Sequence, residues 1–176
     1  SNGFIMPTIK KRDTSSAILN AAFTQLIEQG AEGFSVRKVA QRANVSLGNL
    51  QYHFATKNDL ISALFGSISE RVALAAGEKA TEEAQIFAFI DAIFNELDTP
   101  QGSIPVWELC AMAAHDRKLA EMLHQMFAPF RHRISRLIST TNPGRSQRTC
   151  DHQATCIVAL IEGTGWFDAN SRHNRT

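Results

Sequence analysis

Cysteine is scarce in this chain and does not pair by spacing: Cys110, Cys150 and Cys156 are the only three among 176 residues. An odd count without a short repeat argues against a disulfide scaffold and for free thiols in a reducing compartment, so a cytoplasmic protein is expected. Long apolar runs are lacking as well. No stretch approaches the roughly 18 residues that cross a bilayer, and no charged-then-apolar leader precedes the first amphipathic segment, so no membrane is expected among the partners. There is no glycine-rich phosphate loop, no Ser-His-acid or Cys-His set in a supporting context, and no carboxylate pair in an apolar setting. No catalytic residue and no cofactor are therefore assigned, and Glu82, Glu83 and Asp91 read as solvated helix positions. Strand alternation, internal repeats and low-complexity tracts are missing too.

What is present is enough apolar sequence, 44% against 20% charged, to bury a core in one or two domains. Ser1-Asn2-Gly3 reads as a cloning remnant with no part in the fold. The net charge of +1 conceals a gradient: residues 1–60 hold seven bases against four acids, and residues 61–128 hold four bases against ten acids. A basic front on an acidic body points to an anionic partner for the front alone.

The periodicity is helical throughout, and the fold expected is all-α. Ile18, Leu19, Ala22, Phe23, Leu26 and Ile27 repeat at three- and four-residue steps in a first helix, which Thr14 or Ser15 can cap and Gly30 stops. A second helix opens at Ser35, whose hydroxyl can accept from an orphan N–H, with Phe34 and Val39 at staple spacing, and ends near Ala43. Asn44 tolerates a left-handed turn. Ser46 then caps a third helix with Leu50 and Phe54 inward, and Thr56 with Asp59 forms a capping box for a fourth. Further helices are expected near 57–76, 81–97, 104–114, 116–139 and 147–166, with Pro129 kinking or interrupting the 116–139 segment and a loop at Thr140–Gly144.

With Leu50 and Phe54 inward, Gly48 and Tyr52 lie on the opposite side of the third helix, flanked by Asn49 and Gln51. Amides can bond base edges, hydroxyl and imidazole groups can reach phosphates, and a glycine suits a close approach of backbone to DNA. The competing reading is a polar surface helix with one packing aromatic.

The segment GFSVRKVAQRANVSLGNLQYHFATKNDLISALF, residues 33–65, resembles the DNA-binding domain of the TetR family of bacterial transcription regulators. The likeness extends over residues 14–66 and rests on a helix, an A-G-V-S-type turn, a short helix ending H/Y-F, and a lysine opening the next helix. It implies phosphate contacts from Ser35, Arg37, Ser46, Tyr52, His53 and Lys57, and base contacts from Leu47, Gly48, Asn49 and Gln51. Asn44 departs from the usual turn glycine, and Gln51 stands where the family most often has tyrosine, so Gln51 is expected to read a base edge. The resemblance further implies a helix-turn-helix DNA-binding domain over 10–56 and a helical effector-binding and dimerisation domain over 57–176. The protein so implied is a homodimer on a palindromic double-stranded operator, most often a repressor released by a small-molecule effector of unknown identity.

Beyond residue 66 the likeness is loose. Residues 106–138 fit the two antiparallel helices that commonly wall the family's pocket, and 154–167 fit the helix that packs across the two-fold axis. Only about nine polar residues follow, which leaves the family's usual last helix missing or the dimer built differently. Trp107, Cys110, Met112, Met122, Met126, Phe127 and Phe130 could line an effector pocket, although their spacing equally describes an ordinary core. Residues 154–161 are apolar all round, and Cys156, Ala159 and Gly163 form a small-residue ridge suited to a second subunit, or to a central helix of a monomer. His152 and Cys156, with Cys150 or His115 nearby, do not make a metal site, since two ligands are too few. Arg131, Arg133 and Arg136 with His132 read as a solvated basic face. Two alternatives remain: an effector-independent DNA-binding protein with a filled interior, and a metal sensor or enzyme on a helical scaffold.

Overall fold

The computed structural model describes residues 11–173, with side-chain surroundings from 14 to 163. Among these residues the structure is helical, in two compact units that meet within one helix, between Leu64 and Phe65.

In the first unit, α1 (Lys11–Gly33) buries Ile18, Ala22 and Leu26 completely at four-residue steps, the period that keeps one face inward. It is helical already at Lys11, so Thr14 and Ser15 lie inside it rather than at its cap. Gly30 kinks it rather than stopping it, with φ 64° and ψ −173°, a conformation that costs glycine little, and the helix resumes as far as Gly33. The link to α2 (Val36–Arg42) differs from expectation. Ser35 occupies the cap position, yet its hydroxyl caps nothing. The buried Gln25 of α1, 2% exposed, ties the link instead, its Oε1 accepting from the Ser35 N–H and its Nε2 donating to the Gly33 carbonyl. Asn44 takes the left-handed turn at φ 55°.

α3 (Leu47–His53) starts as anticipated, with Ser46 Oγ accepting from the Asn49 N–H at 3.1 Å. Leu50 and Phe54 are buried. At the head of α4 (Lys57–Ala76) the capping box is complete: the Thr56 N–H donates to Asp59 Oδ2, and the Asp59 N–H donates to Thr56 Oγ1. Leu60, Ile61 and Leu64 in its first half are fully buried.

The second unit holds the rest of α4 with α5 (Glu82–Leu97), α6 (Pro100–His115), α7 (Arg117–Thr141) and α8 (Gln147–His173). Its core joins Val72 and Ala76 to Ile86, Ile93, Leu97, Phe130, Ile134, Ala154, Val158 and Ile161. α6 begins four residues earlier than expected, because Thr99 accepts from the Gly102 N–H and Pro100 fits the first helical position. That entry is tight. A methyl group on Gly102 would run into the Glu96 carbonyl at the end of α5.

α7 continues through Pro129, so of the kink or interruption expected there the interruption does not occur. Gln125, whose carbonyl loses its donor there, is exposed and can turn to water. α8 runs past 166 to His173. Between them the Ser135 hydroxyl donates to Asp151 Oδ1 at 2.6 Å, and Gln147 Nε2 donates to both. These bonds hold the Asp151 carboxyl below its ordinary range.

Candidate nucleic-acid interface and ligand cavity

In the first unit, the turn at Asn44 and the Ser46 cap fix α3 so that one face packs and the other is bare. Gly48, Asn49, Gln51 and Tyr52 are exposed, Tyr52 by 72%, while Leu47 and His53 are half-buried at the edges. The Tyr52 and His53 rings meet edge to face, their centroids 5.5 Å apart. Ser46 Oγ spends a lone pair on the cap and keeps its O–H available to donate outward. A Cβ built on Gly48 meets nothing within 4 Å.

Of the bases on α2, Arg42 pairs with Glu28 and Lys38 Nζ donates to Gln29 Oε1, both back to α1. Arg37 is exposed and makes no such bond among the described residues, and Ser35 is half-buried beside it. Lys57 is exposed with its ammonium 5.5 Å from the centre of the buried Phe34 ring.

A narrow cavity of about 70 Å³ lies in the second unit, lined from α4 by Phe65, Ile68, Ser69 and Val72 and from α5 by Phe89, Ile93, Glu96 and Leu97. Val106, Leu123, Met126, Phe127, Phe130 and Glu162 complete it. Three of the anticipated lining residues, Met126, Phe127 and Phe130, are in place, with Phe130 tilted against Phe89 at 4.8 Å between centroids. Trp107 and Cys110 are not in the wall, because α6 turns Val106 to the cavity and Leu109 and Ala113 to the core, leaving Trp107 and Cys110 half-buried to the side. Met112 and Met122 are likewise half-buried outside the lining.

Two carboxylates belong to the wall. Glu96 is ion-paired with Arg71. Glu162 has no hydrogen bond or ion pair among the described residues, and burial pushes its carboxyl up to about 7. Cys110 is close enough to feel it: burial first, and the Glu162 charge second, push that thiol up to about 11. Glu162 was overlooked in the sequence, although a lone acid ending the apolar run from Ala154 to Ile161 is the kind of buried charge that calls for a reason.

Two other expectations concern the surface. On α8, Ala154, Val158 and Ile161 face the core, whereas Cys156, Ala159 and Leu160 are exposed, Leu160 by 69%, and Gly163 is partly so. Among the described residues no three His, Cys, Asp or Glu side chains form a metal-binding group, so His152 and Cys156 gain no third ligand. The basic cluster on α7 is partly paired off, Arg136 with Glu82 and Arg131 with the His124 ring. No helix among the described residues is long and apolar enough to cross a membrane.

Residues 18–64 match the family model described as "Bacterial regulatory proteins, tetR family". The HTH-type transcriptional regulator BetI of Escherichia coli O17:K52:H18 is 24% identical over 170 residues, covering 93% of this chain and 84% of that protein. Among solved structures, a TetR transcription regulator from Haloarcula marismortui superposes with a TM-score of 0.69 at 19% identity, over 88% of this chain and 85% of the other. A Saccharomonospora viridis protein solved in complex with choline gives a TM-score of 0.65 at 19% identity, over 88% and 84%.

Proposed function

The chain is a DNA-binding transcriptional regulator of the TetR family, and from that premise we propose how its residues divide the work. α3 enters the major groove, Asn49 and Gln51 bond base edges, Leu47 makes apolar contact there, and Gly48 lets the helix backbone come close. Ser46, Tyr52 and His53 donate to phosphates on one side, and Ser35, Arg37 and Lys57 on the other. The observation that carries this reading is Gly48. Glycine inside a helix costs about 1 kcal/mol relative to alanine, and nothing among the described residues occupies the space a methyl group would take. A requirement for the missing side chain then comes from a surface outside the protein.

The protein works in the cytoplasm as a homodimer on a palindromic operator, its exposed α8 face of Cys156, Ala159, Leu160 and Gly163 meeting a second copy. The cavity in the second unit receives a small-molecule effector. α4 opens with Lys57 and also supplies Phe65, Ile68, Ser69 and Val72 to the cavity wall, so a ligand that shifts this helix alters the spacing of the reading heads and releases the operator. A tenfold preference for the released state requires only ~1.4 kcal/mol. An effector-independent protein with a filled interior gains no support from the open space beside Phe130.

In vitro selection of DNA duplexes by the full chain tests the assignment. An inverted repeat with half-sites roughly one helical turn, ~34 Å, apart is expected. Enrichment of an asymmetric site, or no enrichment at low salt, would overturn it.

A further inference from the structure

Resting on the reading of the cavity as an effector site, the chemistry of its wall narrows the class of molecule it takes. Four phenylalanines contribute to it: Phe65, Phe89, Phe127 and Phe130. Aromatic faces carry negative potential and attract cations, most strongly where water is excluded. Two carboxylates share the wall, and among the described residues only Glu96 is answered by a cation, Arg71.

Glu162 stands without a partner among the described residues. A carboxylate in apolar surroundings is costly unless something compensates it. Packing gives no reason for it, since a glutamine or methionine would fill nearly the same volume without the charge. A neutral ligand would leave the acid unanswered and an anion would be repelled. A hard divalent ion would find too few oxygen ligands with Glu96 already engaged. An organic ammonium ion, with its charge spread over alkyl groups, suits both the acid and the rings.

We propose that the cavity binds a small organic ammonium ion, with the Glu162 carboxylate as its counter-charge and the faces of Phe89, Phe127 and Phe130 as its walls. At about 70 Å³ the space is smaller than the ~150 Å³ cavity that holds benzene in another protein. The cation therefore has few heavy atoms.

Calorimetry on the full chain tests this, with tetramethylammonium chloride, with tert-butanol as a neutral molecule of related shape, and with sodium chloride at matched ionic strength. Tetramethylammonium is expected to bind at least about tenfold tighter than tert-butanol. Glu162→Gln should erase that preference while changing tert-butanol affinity by less than about twofold, and Phe127→Leu should weaken the cation several-fold. Equal affinities, or a preference that survives Glu162→Gln, would overturn the proposal. Binding of tert-butanol alone would overturn the charge assignment and leave the effector cavity standing, whereas binding of neither compound would overturn both.

Discussion

Gly48 and Gly102 each stand in the first turn of a helix, one in each unit, and what surrounds them differs completely. Around Gly102 the chain itself fills the space, with the Glu96 carbonyl where a methyl group would go. Around Gly48 there is nothing within 4 Å. The same residue type thus serves the fold in one unit and, on our reading, an external partner in the other. The rest of each unit follows suit: α3 turns its amides and ring hydroxyl outward, while the second unit turns Phe130 and Glu162 inward around a cavity. Changes in the outward set should alter DNA binding with little effect on stability, and changes in the inward set the reverse.

Gly102→Ala gives the largest expected effect. The clash is with backbone, which cannot swing aside, so a loss of about 3 kcal/mol or more is expected in urea unfolding. Wild-type stability in this variant would show that the end of α5 can shift freely.

Next comes Glu162, whose folded-state value of about 7 lies above the ordinary 4.5. The folded protein holds this proton more tightly than the unfolded chain does, so the acid costs nothing below pH 4.5. Its cost grows between pH 4.5 and 7 and is complete above. Burial is the cause; Glu96, paired with Arg71, lines the same cavity, and the Cys110 thiol is close enough to feel the Glu162 charge. Glu162→Gln should therefore match wild type near pH 4.5 and exceed it by about 2 kcal/mol at pH 8. A constant difference across that range would mean the carboxyl is not desolvated.

Gly48→Ala sharpens the contrast from the other side. Stability should stay level or rise by about 0.5–1 kcal/mol, since alanine is the better helix former, while operator affinity falls about tenfold. Unchanged affinity by fluorescence anisotropy would mean no backbone comes close at that point. The smallest effects separate the two kinds of contact on the reading face. Lys57→Ala should weaken all duplexes alike and lower the salt slope by about 1, whereas Asn49→Ala should relax discrimination at particular bases. A uniform loss from both would dissolve the division between rail and base contacts.

The first unit was legible in the sequence because its signals are local. Asn44, Ser46 and the Thr56–Asp59 pair each act within four residues, and each does in the structure what its spacing implies. Where a distant residue takes over a local role, reading by spacing fails: Ser35 has the right identity for a cap, but Gln25, ten residues away, makes the bond that orders the link. The early start of α6 is legible in Thr99-Pro100, a cap residue followed by a proline suited to the first helical position. The cavity was only half readable. Helical spacing offered Met126, Phe127 and Phe130 as pocket wall or ordinary core alike, but which face of α6 turns to the cavity depends on tertiary packing, and that decided Val106 over Trp107 and Cys110.

The placement of Cys110 beside Glu162 gives the molecule a chemical clock. With its thiol pushed up to about 11, roughly one molecule in ten thousand carries the reactive thiolate at neutral pH. Alkylating reagents should therefore mark Cys110 very late. A positive charge arriving at Glu162 would speed that late reaction, so the rate at which one sulfur is modified would report occupancy of the neighbouring space without any attached dye.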